Sequence, residues 1–294
     1  EGSPLALHAD DHRKLRISST QRLVASQGDG VRASQERGLG AHGADGLQCR
    51  DRGRDALNGL EELIPQPGTT LPVALIALFV GSGGALWVSV LRDRGVRVAY
   101  TRKIFHFLVF TTAAAIHTVW SLGGTVVFGA VVAGMVLAAV VRGDGHPFYE
   151  ALARDKDRPR RTLFIVVPLV TTAVGGLASA LIAGPFAVVG YLAAGWGDAV
   201  GEPVGARWGK RPYRVPSLAG VEATRTVEGS LAVLAVASVA SAIGLASIGL
   251  GVSAWWAGPL LGLVAAGVEA VSNHGLDNLT VQVAPSVAAL LLFG

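Results

Sequence analysis

Charge is absent from four long blocks of this chain. No Asp, Glu, Lys or Arg occurs between Ile104 and Val141, between Leu163 and Gly197, between Leu231 and Val268, or from Asn278 to the end. A helix needs about 20 predominantly apolar residues to cross the hydrocarbon core of a bilayer, so each block is long enough for one or two spans. The bulk figures agree: 51% of residues are hydrophobic and the mean hydropathy is +0.47, too apolar for an ordinary soluble domain of this length. The pattern predicts an all-α fold, a polytopic helical membrane protein of 7–8 transmembrane helices.

Residues 1–68 form a separate zone, rich in Arg, Asp, Gly, Ser and Gln and without a sustained apolar period. This composition predicts disorder, followed by a membrane domain over 69–294. The zone lacks the apolar core of a signal peptide, and its balanced acids and bases do not suit a transit peptide. The single cysteine, Cys49, excludes an intramolecular disulfide framework and any multi-cysteine metal site. Bases flank the apolar segments and are not interleaved with aromatics, so nucleic acid is not an expected partner.

Spans are expected near 71–91, 104–120, 124–141, 163–181, 185–200, 229–249, 253–271 and 278–293, with tight turns at Gly123-Gly124, Gly184-Pro185 and Gly249/Gly251. The connections after spans one, three, five and seven carry nearly all the polar chemistry, and those after two, four and six are short and uncharged. That alternation gathers the charged loops on one side, which the Lys/Arg bias predicts to be cytoplasmic.

Four stretches carry candidate chemistry. In "GDAVGEPVGARWGKRPYR", Asp198 and Glu202 are spaced i, i+4 and share a face of a helical end. Two carboxylates near membrane depth are costly unless compensated, for instance by a divalent cation. Gly197, Gly201, Gly205 and Gly209 let backbone approach a ligand, and Lys210, Arg211 and Arg214 can neutralise phosphate; the alternative is a solvated loop with ordinary positive-inside charges. The stretch is not a Walker A loop, because Arg211 stands where Ser or Thr is required. In "ATRTVEGS", Arg225, Thr226 and Ser230 supply donors and Glu228 can bind metal or orient a base, while Thr226 followed by Glu228 also reads as a plain helix start. In "RKIFHF", Arg102 and Lys103 are either ligands or snorkelling anchors, and His106 is either a general base or a hydrogen-bonded structural residue. In "VEAVSNHGLDNLT", Glu269 is a boundary carboxylate and Asp277 either acts in a site or caps the last span.

Taken together, "RKIFHF", "GDAVGEPVGARWGK", "TRTVEGS" and "EAVSNHGLDNLTV", in this order over residues 100–290, resemble the motifs of the CTP-dependent polyprenol kinases, the family of dolichol kinase and phytol kinase. They are also similar to those of its relative, phosphatidate cytidylyltransferase. "DKDRPRRTLFIVVPL" looks like the phytol kinase side. One departure is Arg225-Thr226, where many members have Lys-Ser.

The resemblance implies transfer of the γ-phosphoryl group of CTP to an isoprenoid alcohol dissolved in the membrane. It implies Mg2+ held by Asp198 with Glu202, Glu269 or Asp277, and nucleotide contacts from Arg102, Lys103, Gly209, Lys210, Arg225, Thr226, Gly229, Ser230 and Asn278. Asp198, Glu228, Asp277 and His106 are the implied catalytic group, with His106, Asp277 or Glu269 as the base. A cytidylyltransferase using the same CTP site is the alternative. A secondary transporter is more remote, since no internal repeat is present and the acids gather at one boundary.

Overall fold

The computed structural model describes residues 63–218, 221–273 and 275–294. The expectation of disorder over 1–68 falls, up to residue 62, outside the described residues, as do Cys49 and His274.

Helix α1 (Pro67–Asp93) starts with proline in its first turn, where the missing N–H is no loss. Helix α2 (Val98–Arg142) contains two spans, because Trp120 and Ser121 leave helical geometry and Ser121 takes φ 51°. The chain reverses there. Residues eight apart in an unbroken helix would lie about 12 Å apart along the axis, yet His117 Nδ1 is 3.3 Å from Thr125 Oγ1. The expected turn at Gly123-Gly124 is therefore displaced to Trp120-Ser121, and Gly124 instead packs where a Cβ would strike Trp120 and Ile116.

A short helix α3 (Pro147–Leu152) follows, then α4 (Leu163–Ala183). Gly184 (φ 53°) ends α4, and α5 (Ala187–Trp208) runs back beside it, with Tyr191 Oη donating to the Gly176 carbonyl at 2.8 Å. Helix α5 continues well beyond the expected end at residue 200, so Asp198 and Glu202 stand one turn apart on one continuous helix, as their i, i+4 spacing suggests.

An antiparallel hairpin, β1 (Pro212–Leu218) and β2 (Val221–Thr226), leads into α6 (Val227–Ser247). The hairpin is absent from the sequence expectation. Thr226 caps α6, its Oγ1 accepting from Gly229 N at 3.1 Å. Helices α7 (Ser253–Val271) and α8 (Asp277–Phe293) complete the fold.

Small residues bring the helices together, as is usual where lipid removes the hydrophobic drive for helix association. Gly201 packs on Val233, Gly258 and Gly262 on Ser238 and Ala242, and Gly190 against the Gln282 backbone. The buried core holds Phe110, Leu122, Val188, Val189, Tyr191 and Leu245. Large apolar side chains also cover the outside, among them Phe79, Leu86, Val141, Trp255, Trp256 and Leu291. Five helical stretches are long and apolar enough to cross a membrane, two of them being the paired segments 98–142 and 163–208, and Asp277–Phe293 is a shorter apolar helix. The chain is a multi-pass helical membrane protein.

Candidate functional site

Asp198 and Glu202 lie one turn apart on α5, and Lys103 of α2 stands between them. Lys103 Nζ is 2.6 Å from Asp198 Oδ2 and 3.1 Å from Glu202 Oε2, with the lysine only 5% exposed. Arg154, in the segment after α3, donates from Nη1 to Glu202 Oε1 at 3.1 Å and from Nε to Asp157 Oδ2 at 2.8 Å. Burial works against the Arg154 charge, but Glu202 and Asp157 outweigh it and hold the guanidinium above its ordinary pKa.

His106 is one turn along α2 from Lys103, and its ring stacks on Phe110 with centroids 4.2 Å apart. It meets the backbone of Ala194. Its Nε2 is buried without a hydrogen bond among the described residues, Asp198 Oδ2 standing off at 3.5 Å.

A second charged group faces the first. Arg225, near the end of β2, pairs through Nη1 with Glu269 Oε1 of α7 and donates from Nη2 to Asp277 Oδ2 of α8 at 3.0 Å. Asp277 Oδ1 accepts the backbone N–H groups of Gly275 (3.2 Å) and Asn278 (3.0 Å), so one carboxylate both ties down the turn before α8 and meets the arginine. Glu269 Oε2 is buried without a hydrogen bond among the described residues.

Between the two groups lies a cavity of about 470 Å³, bordered by Asp198, Glu202, Arg154, Arg225, Glu269 and Asp277. Thr226, Gly229 and Ser230 also border it, with Ser230 Oγ 2.6 Å from Tyr213 Oη. Five separate chain segments thus converge on one polar chamber at one end of the helices.

Other expected site residues stand elsewhere. Glu228 turns to the hairpin, its Oε2 accepting Lys210 N at 3.0 Å and Arg211 N at 3.3 Å. Lys210 is exposed, and neither it nor Gly209 borders the cavity; Gly209 sits where a Cβ would strike Gly205 and Thr226. Asn278 points at α4, its Nδ2 donating to Thr172 Oγ1 at 2.9 Å and Pro168 O at 3.3 Å. Arg102 lies close enough to Arg154, Glu202, Asp198 and Asp277 to feel their charges.

Arg154, Lys156 and Asp157 border the cavity and were not among the expected site residues. The signal available was the charge density of "ARDKDRPRR". That segment is anchored by Arg161, which donates to Glu150 Oε2 at 2.6 Å, Asp144 Oδ1 at 2.7 Å and the Ala153 carbonyl at 2.9 Å. The Arg161 hydrogen bond holds the Glu150 carboxyl below the ordinary carboxylate range.

No three His, Cys, Asp or Glu side chains converge as a metal cage among the described residues. Magnesium, however, is commonly bound by one or two carboxylates with phosphate oxygens filling the remaining positions. Asp198 and Asp277 on facing walls, with the unpartnered Glu269 Oε2 beside them, are donors of that kind.

No protein-family model matches the chain, and no solved structure matches it. Over 105 residues, 35% of its length, the chain is 30% identical to the phytol kinase of Synechocystis sp. (strain ATCC 27184 / PCC 6803 / Kazusa). The match spans 43% of that relative, less than half of its length. The similarity lies with the polyprenol and phytol kinase family, the same family that the four motifs resemble.

Proposed function

We propose that this chain is a membrane-embedded kinase that transfers the γ-phosphoryl group of CTP to an isoprenoid alcohol. The observation that carries the reading is the polar chamber itself: five carboxylates, two arginines and a lysine gathered at one end of a lipid-embedded helical bundle. A water-soluble nucleotide and a bilayer-confined alcohol meet only at such a boundary. The partial similarity to a phytol kinase supports the same class of reaction. The Lys/Arg-rich connections would put this end on the cytoplasmic side.

Phosphoryl transfer asks a protein mainly for positioning and charge neutralisation. Arg154, Arg225 and Lys103 would neutralise phosphate oxygens, with Thr226, Gly229 and Ser230 lining the nucleotide side. Asp198 and Asp277, helped by Glu269 or Glu202, would hold Mg2+, which supplies charge compensation between the β- and γ-phosphates when bound. His106 Nε2 would accept the hydroxyl proton as the alcohol oxygen bonds to Pγ. The bond from Pγ to the β–γ bridging oxygen breaks, and CDP leaves. Contact of the ring with the Ala194 backbone would help to hold Nε2 towards the reacting hydroxyl.

The test is a product assay on purified chain with magnesium and γ-labelled CTP, offered phytol, geranylgeraniol, farnesol, dolichol and phosphatidate. Label in an alcohol phosphate with CDP released, lost in Asp198→Asn, supports the kinase. Pyrophosphate release with phosphatidate would replace it by the cytidylyltransferase alternative.

A further inference from the structure

Helices α4, α5 and α8, which border the polar chamber, and α2, whose Lys103 pairs with its carboxylates, also border a second, apolar cavity of about 260 Å³. On α2 the step is from Lys103 to Phe110, on α5 from Asp198 back to Tyr191, on α8 from Asp277 to Gln282, and on α4 from Phe164 to Leu169. At 1.5 Å rise per residue, all four steps place the apolar cavity about 7–11 Å further into the bundle. His106 stands between the two, near Asp198 of the chamber and stacked on Phe110 of the apolar wall.

The cavity is shut on the side of α5 and α8. Tyr191 Oη donates to Gly176 O, and Gln282 Nε2 donates to Thr172 O and Asn278 O. Between the second half of α2 and α4 the lining mixes Val126, Leu169 and Leu177 with small residues, of which Gly129, Ala130 and Ala173 are exposed on the lipid-facing side. A Cβ at Gly129 would meet nothing within 4 Å.

We propose that this cavity seats the hydroxyl-proximal part of an isoprenoid chain, entering sideways from the bilayer between the second half of α2 and α4. The proposal rests on the kinase reading for its alcohol headgroup and deepens it by naming where the lipid lies. The apolar lining matches a hydrocarbon chain, and the lateral opening matches a molecule that never leaves the membrane. Its volume is below the ~300–1,000 Å³ that encloses a drug-sized ligand, so only the first units are held and the rest of the chain stays in lipid. The hydroxyl end then points up towards His106 Nε2. Recognition is of the proximal branched units and not of total length.

The full chain in phosphatidylcholine nanodiscs would be photolabelled with a farnesol carrying a diazirine near its hydroxyl end, and the label mapped by mass spectrometry. Expected are adducts on α2 between Val126 and Ala133 and on α4 between Thr172 and Leu177, displaced by geranylgeraniol and not by hexadecanol. Gly129→Leu sets a bulky side chain at the lateral opening and should lower the labelling about tenfold. Gly134→Leu makes the same change on the same helix at a position that is also open but does not border the cavity, and should leave labelling intact. Equal labelling of outward Leu75 and Phe79, or equal displacement by hexadecanol, would overturn the proposal. Specific labelling without phosphorylation of any alcohol would sink the kinase reading while the cavity assignment stood. Phosphorylation with labelling insensitive to Gly129→Leu would do the reverse.

Discussion

Asp198 Oδ2 lies 2.6 Å from the ammonium of Lys103, a lysine 5% exposed at the mouth of a membrane helix. The same ammonium reaches Glu202, so one cation compensates two acids on the facing helix. Breaking a buried pair from one side typically costs about 3–5 kcal/mol because the other charge is left behind. Lys103→Met should therefore lower the thermal unfolding midpoint in detergent sharply. Lys103→Met with Asp198→Asn should recover part of that loss, and no recovery would mean the pair is not coupled. Asp198→Asn alone should keep its fold and lose activity by about a hundredfold or more, as removal of a principal charge-stabilising group does.

Arg225 spans two helices through its forked guanidinium, meeting Glu269 on α7 and Asp277 on α8. Contacting charges of this kind couple by about 0.5–3 kcal/mol in double-mutant cycles. A cycle of Arg225→Gln and Asp277→Asn, read by thermal unfolding, should fall in that range. A coupling near zero would dismiss the clamp. Arg225→Lys should retain one acid only, since an ammonium is a point charge without the fork, and its KM for the nucleotide should rise.

Glu228 is expected to be a brace for the hairpin and not a catalytic group, because its carboxylate takes the Lys210 and Arg211 N–H groups. Glu228→Ala should leave activity close to wild type. It should speed tryptic cleavage at Lys210 and Arg214, measured by limited proteolysis. Loss of turnover with an unchanged cleavage rate would return Glu228 to the site.

The Glu150–Arg161 pair gives a pH signature. The folded-state pKa of Glu150 is lowered, chiefly by the Arg161 hydrogen bond, so its contribution to stability is present above the ordinary carboxylate pKa and lost as pH falls through the folded value. Wild type should therefore unfold at a higher temperature than Glu150→Gln at pH 7. The gap should close as the pH drops below the usual carboxylate range. A gap that persists there would mean the contact is one of packing and not of charge.

Gly190 is packed against the Gln282 backbone and the Ser286 hydroxyl of α8, with no room for a Cβ. Gly190→Ala should destabilise by about 1–3 kcal/mol, the usual cost of forcing atoms into a filled contact. Gly83→Ala, which meets nothing within 4 Å, is the control.

Much of the architecture was legible because charge avoidance in lipid is strict: residues 253–271 coincide with the expected seventh span, and α4 and α8 begin within a residue of expectation. The misplaced turn at Gly123-Gly124 has a physical reason. Glycine marked close approach there, while the reversal was made by Ser121 at positive φ, which composition does not announce. The hairpin was hidden because "PYRVPSL" and "VEATRT" are short and mixed in character. At the site, Asp198, Glu202, Lys103, Arg225, Glu269 and Asp277 were readable as charges at span ends. Arg154 was not, because nothing local distinguishes it from Arg158 or Arg160, and only α5 supplies its partner Glu202.

The clamp residues are far apart in the chain, and this bears on how the protein is made. Lys103 enters the bilayer boundary with α2, but its partners arrive only with α5, and Arg225 waits for α7 and α8. During synthesis each cation therefore stands at the interface uncompensated, or borrows lipid phosphate, until a later helix docks. The polar chamber cannot be complete before the final two helices dock, because Glu269 and Asp277 supply the acids that meet Arg225.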